Sequence, residues 1–329
     1  MIYLPADHPL CLSVLELLRR SDSPGEIKTG FALQRLRATR PVFRLSSTDG
    51  RVAVVGKFFS AYPPVTSQDL SLMQEYCNYQ QAPAWGLTSG VPLIAPVLGQ
   101  KPHLRLGLLL QDIPGPDLDF YLAKTTTSGD YSTLFTYLDQ LARWLASLHS
   151  RLLTRRQVDH KPASDYFQKL QSQLQQIGLL TSREEIIFRK EINTWENLFS
   201  LWADYEVLIH GDATPTNFLY SDGGVVAVDL ERLRQADRLW DLSWVAGELK
   251  HAWGWRTDNF AASEPAISHF FQAYLTSLGA EEGLAQRLFA LNPFYMAMAE
   301  LRIARNDYLS WDYRRALIAE AIRCLSCGR

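Results

Sequence analysis

The stretch VLIHGDATPTNFLYSDGGVVAVDLERL (207–233) constrains the fold more than any other part of the chain. VLI before His210, FLY (218–220) and VVAVDL (225–230) each have the length of a buried strand, and Asp222-Gly223-Gly224 has the composition of a hairpin turn. Asp212 and Asn217 are therefore expected on the loop joining two short strands. Asp229 ends the strand that returns beside them. Burying strands requires none of these side chains, so two carboxylates and an amide oxygen at one edge have another use. Hard oxygen donors suit Mg²⁺, and a bound cation would relieve the crowding of the carboxylates.

The rest of the chain divides by period. FALQRLRA (31–38), PVFRLSS (41–47) and RVAVVGKFF (51–59) are short, β-branched and aromatic, and Asp49-Gly50 is a strong hairpin signal. A helix is predicted over Ser67–Gln81, followed by strands in LIAPVLG (93–99) and LRLGLLLQ (104–111). DIPGPDL (112–118), with two prolines around a glycine, is a stiff connector. Beyond it, helical spacing dominates: one long helix over 131–153, helical sequence over 163–202 and 239–253, and again from about 262 to 326. A chain of 329 residues exceeds what one hydrophobic core usually organises. The expected architecture is α+β with two lobes: residues 1–112 carrying a five-stranded sheet and one helix, and residues 113–329 mainly helical.

Bulk properties exclude some function classes. A formal net charge of −2 argues against a general electrostatic grip on nucleic acid or an anionic membrane. The most apolar run, LRLGLLL (104–110), is strand-sized, far short of a membrane span. The N-terminal MIYLPADHPLCL lacks the basic region and long apolar core of a secretion signal. Four cysteines are too few for a disulfide scaffold, so a cytoplasmic setting is expected. Cys324 and Cys327 form a C-x-x-C with no second Cys or His pair nearby, which reads as the end of a helix.

H-G-D-x-x-x-x-N followed by an Asp at a strand end resembles the catalytic core of the aminoglycoside phosphotransferase and choline kinase-like enzymes, which have the protein-kinase-like fold. HGDATPTN (210–217) matches the first element and DLE (229–231) stands where the second belongs. Lys57 ends the third strand, Glu75 lies on the next helix, and LLLQDIPG (108–115) resembles the hinge. DRLWDLSW (237–244) resembles the following helix start, where Asp241 would brace the catalytic loop. The resemblance covers residues 30–250. It implies a kinase that transfers phosphate from ATP, with Mg²⁺, to a small-molecule hydroxyl. Asp212 would be the catalytic residue facing that hydroxyl, and Asn217 and Asp229 the metal ligands. Lys57 would bind the α/β-phosphates, oriented by Glu75, and backbone groups of Gln111 and Ile113 would read the adenine edge. His210 would support the loop.

The chain departs from the pattern in one place: RATRPVF, between the first two strands, has no Gly-rich turn over the phosphates, and Thr39 and Arg40 are candidate substitutes. Glu231 reads as a solvated acid rather than a metal ligand. His149, on an apolar helix, reads as a hydrogen-bonded core histidine. Trp253, Trp255 and Arg256 could line a substrate pocket or simply pack. The arginines of ELRIARNDYLSWDYRR (300–315) point to a sugar, amino alcohol or partly anionic acceptor, unless they cover a solvated helix face. A protein substrate is disfavoured, since no A-P-E element follows DLE. The alternative is a nucleotide-binding scaffold without turnover, which the missing Gly-rich turn favours and the intact Lys57, Asp212, Asn217 and Asp229 oppose.

Overall fold

The computed structural model of the chain describes residues 2–20, 30–87, 90–91, 93–151, 155–280 and 282–327. It resolves into two compact units, Met1–Gly115 with Val226–Arg232, and Pro116–Val225 with Leu233–Arg329. The first is built on β1 (Ile2–Leu4), α1 (Pro9–Arg19), β2 (Phe31–Arg35), β3 (Val42–Ser47), β4 (Ala53–Phe58), α2 (Ser67–Gln81), β5 (Leu93–Ile94), β6 (Val97–Lys101) and β7 (Leu106–Gln111). Six strands form an antiparallel sheet in the order β1-β2-β3-β4-β7-β6. Cys11, Val14, Leu15 and Leu18 of α1 pack on Phe31, Leu45, Val54 and Leu109 of one sheet face.

Two expectations are corrected here. The sheet has six strands rather than five, because Ile2–Leu4 adds an edge strand, and α1 is a second helix. Its start is set by Pro9 and by His8, whose Nδ1 accepts from the Leu10 amide at 3.2 Å. LIAPVLG is not one strand. Pro96 has no amide to donate, so the run breaks: Leu93 and Ile94 lie parallel to Val226 and Ala227, while β6 joins the large sheet. α2 begins with a capping box between Thr66 and Asp69, and Leu72, Glu75 and Tyr79 form its buried stripe.

The second unit contains α3 (Leu118–Ser128), α4 (Ser132–His149), α5 (Lys161–Gln176), α6 (Ser182–Phe199), β8 (Val207–Ile209), β9 (Phe218–Ser221), β10 (Gly224–Ala227, whose last two residues belong to the first unit), β11 (Arg234–Ala236), α7 (Leu239–Thr257), α8 (Glu264–Leu278), α9 (Glu282–Ala304) and α10 (Trp311–Cys327). The long helix expected over 131–153 is α4; residues 152–153 lie outside the described residues. The 163–202 region is two helices, because Thr181 and Glu184 form a capping box that starts α6 afresh. The last stretch, expected as helices, is α8, α9 and α10; residue 281 lies outside the described residues. Phe167, Phe188, Trp195 and Phe294 form an aromatic core under α5, α6 and α9. Among the described residues no helix is long and apolar enough to cross a membrane.

Candidate active site

In the first unit, β4 delivers Lys57 and α2 delivers Glu75 to the same buried point. The Lys57 ammonium donates to both Glu75 oxygens at 2.8 and 2.9 Å and to Oδ1 of Asp229 at 2.6 Å. Lys57 and Glu75 are 8% and 0% exposed, so water screens this cluster weakly. Burial pushes the Glu75 carboxyl up to about 7; the Lys57 charge opposes that push and Asp229 adds to it. Burial also disfavours the Lys57 cation, but Glu75 and Asp229 outweigh it and hold its pKa above the ordinary value. Asp229 has φ +63°, a left-handed conformation that Asp tolerates better than most residues. The cluster is a fixed cation with an acid on either side.

One further expectation fails in this unit. Glu231 is not a solvated acid: it pairs with Arg40, and the two side chains are 13% and 12% exposed. Arg40 gives Nη2 to Glu231 and keeps Nη1 without a partner among the described residues, while Thr39 is exposed. Gln111 ends β7 with its amide donated to the Pro96 carbonyl, and Ile113 follows, partly buried.

In the second unit, the backbone after β8 turns at Gly211, whose φ of +79° favours glycine. Asp241, in the first turn of α7, anchors that turn. Its fully buried carboxylate accepts from the His210 amide at 2.7 Å, the Gly211 amide at 2.8 Å and Nε2 of His149 at 3.1 Å. Burial disfavours the Asp241 anion, yet these donors hold its pKa below the usual carboxylate value. Burial also lowers the His149 pKa, so the ring is neutral: Nε2 donates to Asp241, and Nδ1 accepts from the Tyr274 hydroxyl at 2.9 Å. Behind the same helix start, Asp237 accepts from Arg287 and Tyr295.

The loop beyond Gly211 is laced to itself. The Asp212 amide donates to Nδ1 of His210 at 3.3 Å, and the Asp212 carbonyl accepts from the Thr214 amide at 2.7 Å and Nδ2 of Asn217 at 2.9 Å. Asp212 and Asn217 are thus brought together, while Oδ1 of Asp212 is buried with no hydrogen-bond partner among the described residues. With Nδ2 of Asn217 committed, its oxygen is the group left to meet a cation. Among the described residues no three His, Cys, Asp or Glu side chains cluster as a metal site. Taken singly, an amide oxygen such as that of Asn217 and a carboxylate such as that of Asp229 are hard donors, of the kind that suit Mg²⁺ rather than a soft thiophilic metal.

Trp253 is buried and stacks on Tyr131, Trp255 is half-exposed, and Arg256 pairs with Asp119 at 2.7 Å. Arg302, Arg314 and Arg315 do not coat a solvated face. Arg314 donates to the Ala304 carbonyl and Arg315 pairs with Glu184. Arg302 pairs with Glu248 and lies over Trp244. Sequence reasoning misses that pair because its partners sit 54 residues apart on different helices; the only local signal is an arginine within an apolar helical stripe.

Residues 35–285 match the sequence profile of the phosphotransferase enzyme family (APH). The chain belongs to that family. Solved structures agree on the fold. A streptomycin–ATP ternary complex of APH(2″)-IIa is 14% identical with a TM-score of 0.56, covering 98% of this chain and 97% of its own. Plasmodium vivax ethanolamine kinase is 13% identical with a TM-score of 0.59, covering 98% and 89%. Choline kinase from Cryptosporidium parvum Iowa II is 10% identical with a TM-score of 0.62, covering 95% and 94%. At these identities the likeness establishes the protein-kinase-like fold. No curated protein matches the sequence significantly.

Proposed function

We propose that this phosphotransferase moves the γ-phosphate of ATP to a hydroxyl of a small molecule, such as a sugar, an amino alcohol or an aminoglycoside-like compound. The observation that carries this reading is Asp212. Its loop is pinned by backbone bonds and by Asp241, yet one buried carboxylate oxygen has no partner among the described residues. Buried polar atoms are normally satisfied, and an unsatisfied acceptor on a rigid loop suits a donor that arrives with the substrate.

Phosphoryl transfer asks the protein mainly for positioning and charge neutralisation. Residues 1–112 serve as the nucleotide-binding lobe. There Lys57 meets the α/β-phosphates, Glu75 holds its ammonium in place, and backbone groups of Gln111 and Ile113 read the adenine edge. Residues 113–329 form the catalytic and acceptor lobe. Asp212 accepts a hydrogen bond from the acceptor hydroxyl and takes its proton as the new bond forms. Asn217 and Asp229 would hold Mg²⁺, whose charge offsets that of the β- and γ-phosphate oxygens. A macromolecular acceptor fits poorly: Asp229 and the start of α7 at Leu239 are too close in sequence to enclose a regulated loop.

The feature that favours a competing reading, a nucleotide-binding module without turnover, is the missing Gly-rich turn in RATRPVF (37–43). The two readings part in a single-turnover assay with γ-labelled ATP and a pooled library of metabolites. Phosphotransfer predicts label on one or more hydroxyl compounds, its transfer slowed by about 10²–10⁴-fold in Asp212→Asn. ATP binding with no label transferred to any compound or to water would leave only the binding module.

A further inference from the structure

α7 and α9 approach closely because Gly247 has no side chain: a Cβ there would lie 2.4 Å from Cβ of Ala299. The next residue of α7, Glu248, and Arg302, one turn beyond Ala299, form an ion pair. The Arg302 guanidinium also lies over the Trp244 ring, 5.4 Å from its centroid. Asp241, Trp244 and Glu248 are spaced i, i+3, i+7 and share one face of α7. Through Asp241 that face grips the backbone of residues 210 and 211. Arg302 is therefore held on the helix face that carries the Asp212 loop. The Arg302 side chain is 17% exposed, and its Nε is buried with no partner among the described residues. Burial disfavours its charge, but Glu248 first and then the Asp212 carboxylate hold its pKa above the ordinary value.

We propose that Arg302 is a catalytic residue whose Nε–H donates to the acceptor hydroxyl while that hydroxyl donates to Oδ1 of Asp212. The proposal rests on the phosphotransfer reading above and adds a second, cationic contact to the reacting oxygen. A hydroxyl has one proton and two lone pairs. The proton goes to Asp212, one lone pair accepts from Arg302, and the other is aimed at the γ-phosphorus. As the new O–P bond forms, the bond from the γ-phosphorus to the β–γ bridging oxygen breaks. ADP leaves with that electron pair, and the hydroxyl proton passes to Asp212. Arg302 stays protonated throughout and favours loss of the proton from the oxygen it contacts. Glu248 and Trp244 fix the guanidinium plane, so the Nε–H direction is set before the acceptor arrives.

The test uses the whole chain with γ-labelled ATP and water as the acceptor, so it works whatever the natural substrate is. Arg302→Lys keeps a partner for Glu248 but lacks the Nε donor; Arg302→Met with Glu248→Gln removes both buried charges together. Each is expected to lower kcat for hydrolysis by about 10²–10³-fold, the usual loss for one preorganised donor at a reacting oxygen. KM for ATP and melting temperature should stay near wild type. Wild-type kcat in Arg302→Lys overturns the proposal, as does turnover that falls only in step with thermal stability, which would make the residue structural. ATP binding with label transferred neither to water nor to any hydroxyl compound in the unaltered protein is a separate outcome, overturning the phosphotransfer reading and this inference with it; where label reaches a compound but not water, the same variants are read with that compound as acceptor.

Discussion

Asp241 offers a magnitude that can be worked from the structure. Its carboxylate is the acceptor for three buried donors: the His210 amide, the Gly211 amide and Nε2 of His149. Asp241→Ala removes that acceptor and leaves all three donors in a site with 0% exposure. An orphaned buried donor costs about 1–3 kcal/mol, so the substitution should cost roughly 3–9 kcal/mol. Domains are typically stable by only about 5–15 kcal/mol, so the second unit would be close to unfolding. Asp241→Asn should lie between. Its carbonyl can still serve the backbone donors, and the His149 ring can change tautomer to accept from the new amide. Replacing charge-assisted bonds by neutral ones then costs about 2 kcal/mol. Urea unfolding followed by tryptophan fluorescence suits the measurement, because every tryptophan except Trp85 lies in the second unit. The midpoint should move with little change in slope. Asp241→Ala within about 1 kcal/mol of the unaltered protein would refute the idea that this carboxylate is the anchor of the 210–212 turn.

Asp212→Asn should do the reverse, lowering kcat by about 10²–10⁴-fold while melting temperature and ATP affinity barely move. Isothermal titration and calorimetry on the same preparation check both halves. Lys57→Met removes the cation between Glu75 and Asp229 and should cost about 3–5 kcal/mol of stability. Lys57→Met with Glu75→Gln should recover much of that loss, yet still bind ATP more weakly by about tenfold or more, equivalent to 1.4 kcal/mol. Unchanged affinity in that double variant would remove Lys57 from the nucleotide site. His251 supplies a pH prediction. Burial first, then Arg256 and Arg302, push its pKa down to about 4, below that of an exposed histidine. The unfolded chain therefore binds more protons between about pH 6.5 and 4. The contribution is full above that window and is lost as pH falls through it, by roughly 3 kcal/mol. His251→Gln should flatten that part of the stability profile, and an unchanged slope would contradict the assignment.

What could be read from the residues follows a physical division. Local composition and turn chemistry were enough to place β2, β3, β4, α2 and β7, but not to tell which side is buried: Leu106–Leu110 of β7 are buried throughout, and in α2 Leu70 and Met73 are exposed while Glu75 is buried. They were also enough to put Asp212 and Asn217 on the loop between two short strands. The break in LIAPVLG was legible in principle, since Pro96 cannot donate to a ladder, but the apolar residues around it outweighed that signal. Pairings between distant residues were not legible. Glu231 looked solvated because its own neighbourhood is polar, while its partner Arg40 lies 191 residues away. Arg302 and Glu248 were hidden in the same way: an arginine on a helix looks alike whether it faces water or a buried acid.

The limit of composition is sharpest for two aspartates, Asp212 of HGDATPTN and Asp241 of DRLWDLSW, whose different roles only the family resemblance implied. Asp212 and Asp241 both follow the short apolar strand β8, one by three residues and the other across β11 into α7. Composition cannot tell a carboxylate that holds a loop from one that meets a substrate. Their partners can. Asp241 is wholly buried with three donors converging on it, so its charge is consumed by the fold. Asp212 contributes its amide and carbonyl to the loop and keeps a buried carboxylate oxygen without a partner among the described residues. On the proposed reading, a fold that satisfies one acid fully and leaves its neighbour short of a donor separates two jobs: rigidity for α7, and reactivity for the loop it holds. Stability should therefore track Asp241 and turnover Asp212, and a variant of either that moved both quantities equally would show that the two jobs are not separate.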